Sequence, residues 1–164
     1  MKLEMRIYPK VKKLGQISNF IKKTKIIMTQ FAIFLHTLIV GFMIFFMSVV
    51  SPIIFKTLNE ENAGIFLRQL FPRMFLYGLI ITITAFLITL KNQIEIYWVI
   101  SLISAIFFAI NLFIITPKIN QYRDDAKKGI SLSEKRFKQF HFSSVTIFML
   151  QLFGSLYLLI IFFY

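Results

Sequence analysis

The sequence predicts an all-α integral membrane protein, a four-helix up-down-up-down bundle whose second to fourth helices extend past the bilayer on one side. Three observations lead there. Hydrophobic residues make up 57% of the 164 residues and charged residues 16%, with a mean hydropathy of +0.74, where a soluble domain is about half apolar and a quarter charged. The apolar excess is concentrated in four uncharged stretches, 26–55, 74–90, 96–116 and 142–164. Each charged block flanks one of these stretches, where basic side chains meet lipid headgroups. A disulfide scaffold and thiolate chemistry are excluded, because the chain has no cysteine.

The spans follow in order. A bilayer core of about 30 Å takes about 20 helical residues, and each stretch approaches or exceeds that length. Barrel strands would be about ten residues of alternating polarity. Residues 1–25 form a basic N-terminal tail and 26–164 the four-span membrane domain. The first span is too long for a cleaved signal peptide and lacks a small-x-small site. Thr57 with Glu60 reads as a capping box, so the second helix begins near Leu58. A tight turn at 91–95 joins the second and third helices. Leu112, Ile115, Ile119 and Tyr122 keep one stripe, so the third helix continues through a kink at Pro117. It ends at Lys127, Lys128 and Gly129. Ser131 with Glu134 reads as the capping box of the fourth helix. Helices two to four should each reach about thirty residues.

Each span carries a seam of small or weakly polar residues at helical spacing. These are Thr37, Gly41, Ser48 and Ser51 in the first, Gly78, Thr82, Ala85 and Thr89 in the second, Ser101, Ser104 and Asn111 in the third, and His141, Ser144, Gln151 and Ser155 in the fourth. Lipid tails provide no hydrophobic drive for helix association, so these seams should face inward. A pore is disfavoured, because no ionisable group is expected on a seam deep in the core.

The net charge of +12 does not signal nucleic acid. Of 28 aromatic residues 21 are Phe, mostly inside the apolar runs rather than among basic residues, where base stacking would need them. There is no phosphate-binding loop. His36 and His141 open spans that start on opposite sides of the membrane, so they should lie roughly 20 Å or more apart. They cannot share a metal at about 2 Å from each nitrogen. His36 reads as a packed or interfacial histidine. His141, Ser144 and Asp124 could be arranged as a hydrolytic triad, but no oxyanion donor is visible, and a structural interfacial network is the stronger reading. No catalytic residue, metal site or cofactor is assigned.

Three runs are distinctive: SPIIFKTLNEENAGIFLRQLFPRMF at 51–75, TPKINQYRD at 116–124 and FKQFHFSSV at 137–145. In this order they resemble the bacterial domain-of-unknown-function 4149 family, which is similar to the transmembrane-protein-205-like group. The matching positions are Pro52, Phe55, Ala63, Gly64, Phe71, Pro72, Pro117, Arg123, Asp124, Phe140, His141 and Ser144. The chain departs from the pattern in its long basic tail and in Phe-His where Leu-His is usual. The resemblance implies a multi-pass protein of the bacterial inner (cytoplasmic) membrane and brings no established activity.

Orientation is undecided by charge, with 9 Lys/Arg on the side of the tail and 10 on the other. Translation from Met28 would leave 1 against 10 and place the long hairpin ends in the cytoplasm. Measured from the 91–95 turn and the C-terminus, Pro52, Pro72, Pro117 and His141 all fall at roughly 27–35 Å, near the far edge of the core. The family-like residues Gly64, Arg68, Asn120, Arg123, Asp124 and Ser144 cluster around or beyond that level, and with Pro52, Pro72, Pro117 and His141 they form a candidate functional cap. Two readings follow. The first is a non-enzymatic bundle acting through partners, lipids or small-molecule passage, with the bilayer and a further copy of itself as associates. The second is a membrane enzyme, with redox chemistry as one option, using the end that carries His141, Arg123 and Asp124.

Overall fold

The computed structural model describes residues 2–92 and 94–164, with side chains from residue 14 onward. All regular structure among the described residues is helical. α1 is Lys2–Phe45, α2 Ser51–Thr57, α3 Glu60–Lys91, α4 Glu95–Ile110, α5 Thr116–Lys127 and α6 Ser133–Phe163. π-helical segments, Phe46–Val50 and Asn111–Ile115, join α1 to α2 and α4 to α5. The result is four rods long and apolar enough to cross a membrane: Leu14–Thr57, Glu60–Lys91, Glu95–Lys127 and Ser133–Phe163. The last three run 32, 33 and 31 residues, the length the sequence predicts. Residues 2–25, read as a tail, are helical and run into the first span without a break.

Both π segments have the same cause. A proline has no N–H, and its ring crowds the carbonyl four residues back. Each segment ends two residues before one, Pro52 or Pro117. The residue between donates five positions back, Ser51 to Phe46 O and Thr116 to Asn111 O. The wider turn relieves the crowding and lets the helix continue. Pro72 sits inside α3 with no such widening.

The helix ends correct two expectations. Asn59, not Thr57, caps α3, its Oδ1 accepting from Asn62 N at 2.9 Å. Thr57 ends α2, its hydroxyl turned back to Ile53 O at 2.6 Å. Ser131 does not cap α6. Leu132 stands before the helix at φ 66° with no side-chain cap, and Glu134 pairs with Lys138 at 2.6 Å instead. The end of α5 is as expected. Gly129 takes φ +73°, its N–H bonds Ala126 O and Ile130 N–H bonds Asp125 O, the two bonds of a Schellman motif.

Beside an apolar core that includes Ile39, Met43, Phe75 and Phe108, polar side chains are buried and large apolar ones stand outside. His36, Thr82, Thr89, Ser101, Asn111, Gln151 and Ser155 are buried, while Phe34, Phe45, Ile80, Leu87, Phe113, Phe153 and Ile160 are exposed. An apolar exterior over a hydroxyl- and amide-bearing interior fits lipid as solvent. Three of the four seams face inward. Gly78, Thr82, Ala85 and Thr89 are all buried in α3, as are Ser101, Ser104 and Asn111 on the third rod and Ser144, Gln151 and Ser155 on α6, whereas His141, the first residue of that last seam, is exposed. The first seam does not. Thr37, Gly41 and Ser48 are exposed, and Ala32, Leu35, His36, Ile39 and Met43 face in. Thr37 and Ser48 return their hydroxyls to Ile33 O and Ile44 O, at 2.9 and 2.7 Å, which lets a hydroxyl face lipid without an unmet donor.

Candidate functional site

The third and fourth rods are stitched by polar pairs that step along them in opposite directions. Ser144 Oγ donates to Asn111 Oδ1 at 2.8 Å, and Gln151 Nε2 donates to Ser104 O at 3.1 Å. One step further, His36 from α1 is wedged between Ser101 Oγ at 2.9 Å and Ser155 Oγ at 3.0 Å. Both ring nitrogens are occupied and the side chain is fully buried. His36 thus joins three rods. It also corrects the expectation that no ionisable group sits on an inward seam. Its partners were both among the predicted seam residues. The missing signal was the register that brings position 36 to them.

Aromatic packing fills the middle. Phe108 is fully buried, with the rings of Phe42 and Phe75 at 6.3 and 6.4 Å. Its edge lies against the bare Cα of Gly78, where any Cβ would collide with the ring.

Beyond Phe75 and Phe148 the rods part around a cavity of about 930 Å³, within the usual range for a small-molecule site. Its floor is Phe46, Phe71, Phe75 and Phe148. Its upper wall carries Arg68, Asn120, Arg123, Lys127, Lys138 and His141. Six of the ten candidate cap residues line it: Gly64, Arg68, Asn120, Arg123, His141 and Ser144. Asp124 stands just outside, paired with Arg68 at 2.5 Å. Pro52, Pro72 and Pro117 do not line it, but their preceding neighbours Ser51, Phe71 and Thr116 do.

Two adjacent residues of α5 hold that end of α3. Asp124 accepts from Arg68, and this hydrogen bond holds its carboxyl below the ordinary carboxylate range. Arg123 donates from Nη2 to Glu60 O at 2.9 Å. Its guanidinium lies directly on Gly64, so close that a Cβ there would overlap it. Glycine at 64 is the seat of Arg123.

No hydrolytic triad forms here. Ser144 gives its hydroxyl to Asn111, Asp124 is engaged by Arg68, and the ring of His141 stacks on Phe137 at 6.0 Å. Among the described residues no three His, Asp or Glu side chains gather as a metal site. Asn111 Nδ2 and Gln151 Oε1, both buried, lack a protein partner. The sequence marked both residues as seam but gave no sign of that.

Residues 34–128 match a family described as a domain of unknown function (DUF4149). The stretch covers α5 and its Arg123–Asp124 pair and stops before the run at 137–145. No curated protein and no solved structure matches the chain.

Proposed function

The chain belongs to the DUF4149 family, and from that premise we propose that it is a non-enzymatic membrane bundle that holds an amphiphilic small molecule or lipid at its capped end. The rods run up-down-up-down, with the second to fourth projecting past the bilayer on the side of Arg123 and His141. The opposite-direction pairing of Ser144 with Asn111 and Gln151 with Ser104 supports that topology. The likeness to the transmembrane-protein-205-like group and a place in the bacterial inner membrane belong to the same proposal and rest on the sequence resemblance.

One observation carries the reading: a cavity of about 930 Å³ with an aromatic floor and a charged upper wall. Pockets that bind small molecules are mostly apolar with a few placed polar groups, and this one is graded from one to the other along its depth. Ser144, Asp124 and His141 are each engaged by another residue, Asn111, Arg68 and Phe137, and not by one another, which disfavours the enzyme reading.

Native mass spectrometry of the protein released from mild detergent tests it. An adduct of stoichiometric amphiphile is expected, and it should be weakened by Arg123→Gln or His141→Ala more than by His36→Phe. Bare protein under every lipid supplement would end the reading. A stoichiometric visible band from haem or flavin in the purified protein would favour a redox enzyme.

A further inference from the structure

The cavity is a cleft between two helices that do not pack on each other. α6 packs on α1, α4 and α5, whereas α2 packs on α3 and on the π segment before it. On α6, Glu134, Phe137, Lys138, His141, Val145 and Phe148 recur at helical spacing and all face the cavity. The open part of this face, from Glu134 to Val145, is about 17 Å long at 1.5 Å per residue and closes at Phe148, whose ring meets Phe46 and Phe75. The facing wall is Phe46, Met47, Ser51 and Phe55. Phe55 is exposed although it lines the cavity, so the cleft opens on that side between α2 and α6.

Charge is arranged along the cleft. Four cations and two carboxylates, Glu60 and Glu134, line it. Arg68 is neutralised by Asp124 and Lys138 by Glu134. Arg123 spends one N–H on a neutral carbonyl, and Lys127 has no carboxylate partner among the described residues. Arg123 and Lys127, the cleft's cations without an ion pair among the described residues, lie on α5 four residues apart, so they stand on one helix face.

We propose that this cleft takes one acyl chain of an anionic phospholipid, drawn sideways from the bilayer between α2 and α6, with its phosphate on Arg123 and Lys127. The inference rests on the amphiphile reading above and narrows it to a lipid class and a route. A soluble anion would leave the phenylalanine floor wet. A neutral lipid would leave the cleft net positive, since Arg68, Arg123, Lys127 and Lys138 face only Glu60, Glu134 and the adjoining Asp124. A chain lying along the floor with a phosphate at the wall satisfies both.

The test compares the detergent-solubilised full chain with added phosphatidylglycerol, phosphatidylcholine of the same acyl composition, and inorganic phosphate, read by thermal unfolding and native mass spectrometry. Phosphatidylglycerol should bind tightest. Lys127→Gln, which leaves the Gly64 seat untouched, should weaken it about fivefold, the effect of one basic residue near an anionic headgroup, with little change for phosphatidylcholine. Val145→Trp, placed on the exposed lip of α6, should block both lipids without unfolding the chain. Equal binding of the two lipids would overturn the anionic assignment while sparing the amphiphile reading. A response to inorganic phosphate equal to that of phosphatidylglycerol would overturn the lipid assignment. Binding that Val145→Trp leaves unchanged would move the ligand out of the cleft, and no binding at all would overturn both readings.

Discussion

Around His36 three rods close on one another, and around His141 they stand apart, though both levels carry a histidine, serines and aromatic residues. The difference lies in size and in backbone register. At the closed level the facing positions are Ser101 and Ser155, small enough for an imidazole to fit between and satisfy both. At the open level the facing positions are Phe46, Phe71, Phe148 and Arg123, and a π turn has shifted each of two walls. On α6 only Ser133 is buried before Ser144, whereas Ser144, Phe148, Gln151, Leu152, Ser155 and Leu158 are buried after it. In lipid, where apolar area gives no drive to associate, small residues decide where helices meet and large ones decide where they leave room.

The comparison breaks most visibly at Gly78. Gly78→Leu forces a side chain into the ring of Phe108 and should cost about 1–3 kcal/mol or more, read as a large drop in detergent unfolding temperature. Gly154→Ala is the control. Its Cβ would meet Ile100 Cγ2 at an ordinary 3.5 Å, so stability should hold.

His36→Phe comes next. It strands two buried hydroxyls and should cost about 1–3 kcal/mol, since hydrogen bonds between membrane helices are individually modest. Adding Ser101→Ala and Ser155→Ala to it should recover part of the loss, because removing both partners spares the desolvation penalty. No recovery would mean the ring acts by shape alone. Lipid binding should be unaffected throughout.

Gly64→Ala should reverse that pattern. Its Cβ displaces the far end of a flexible side chain, so unfolding shifts little while the preference for phosphatidylglycerol falls with the displaced Arg123. A stability loss as large as that of Gly78→Leu would show that Arg123 braces the fold instead.

Arg68→Ala is the smallest. Its pair with Asp124 is part-exposed at both ends, and such pairs contribute little. The sign with pH is fixed. Asp124 is held below its ordinary value, so the pair's contribution is complete above about pH 4. It fades as pH falls through the lowered value. Unfolding profiles of wild type and Arg68→Ala should therefore converge on acidification, and a gap that widens would reverse the assignment.

How much of this was legible follows from what each part depends on. Span length, the inward seams of the last three rods and the turn at Gly129 depend on local composition and periodicity, and the sequence carried them. The first rod's inward face was misread because Thr37, Gly41 and Ser48 look like packing residues, but Thr37 and Ser48 satisfy their hydroxyls on their own helix and Gly41 faces open space. The caps were misread because two patterns overlapped, Thr57 with Glu60 and the true cap Asn59 with Asn62. Six of the ten candidate residues meet around one cavity, and they were found through motif runs, not through any chemical pattern. The cavity itself had no signature. It depends on α2 and α6 failing to pack, a relation between segments about eighty residues apart.

The π segments also change what a sequence alignment of this protein means. Each carries one residue more than an α-helical turn needs, and one residue advances a helix by about 100°. Deleting any one of Phe46 to Val50 would keep the span apolar, its length nearly the same and its prolines in place. Because the wide turn already absorbs that extra residue, the deletion would close it to an α turn and leave α2 in its present phase, Ser51 and Phe55 still on the cleft, while the Pro52 ring came back against a carbonyl and kinked the rod. The first rod therefore keeps one phase, with one residue of slack at its wide turn. A one-residue gap there, invisible to hydropathy, would be a change of bend rather than a change of site.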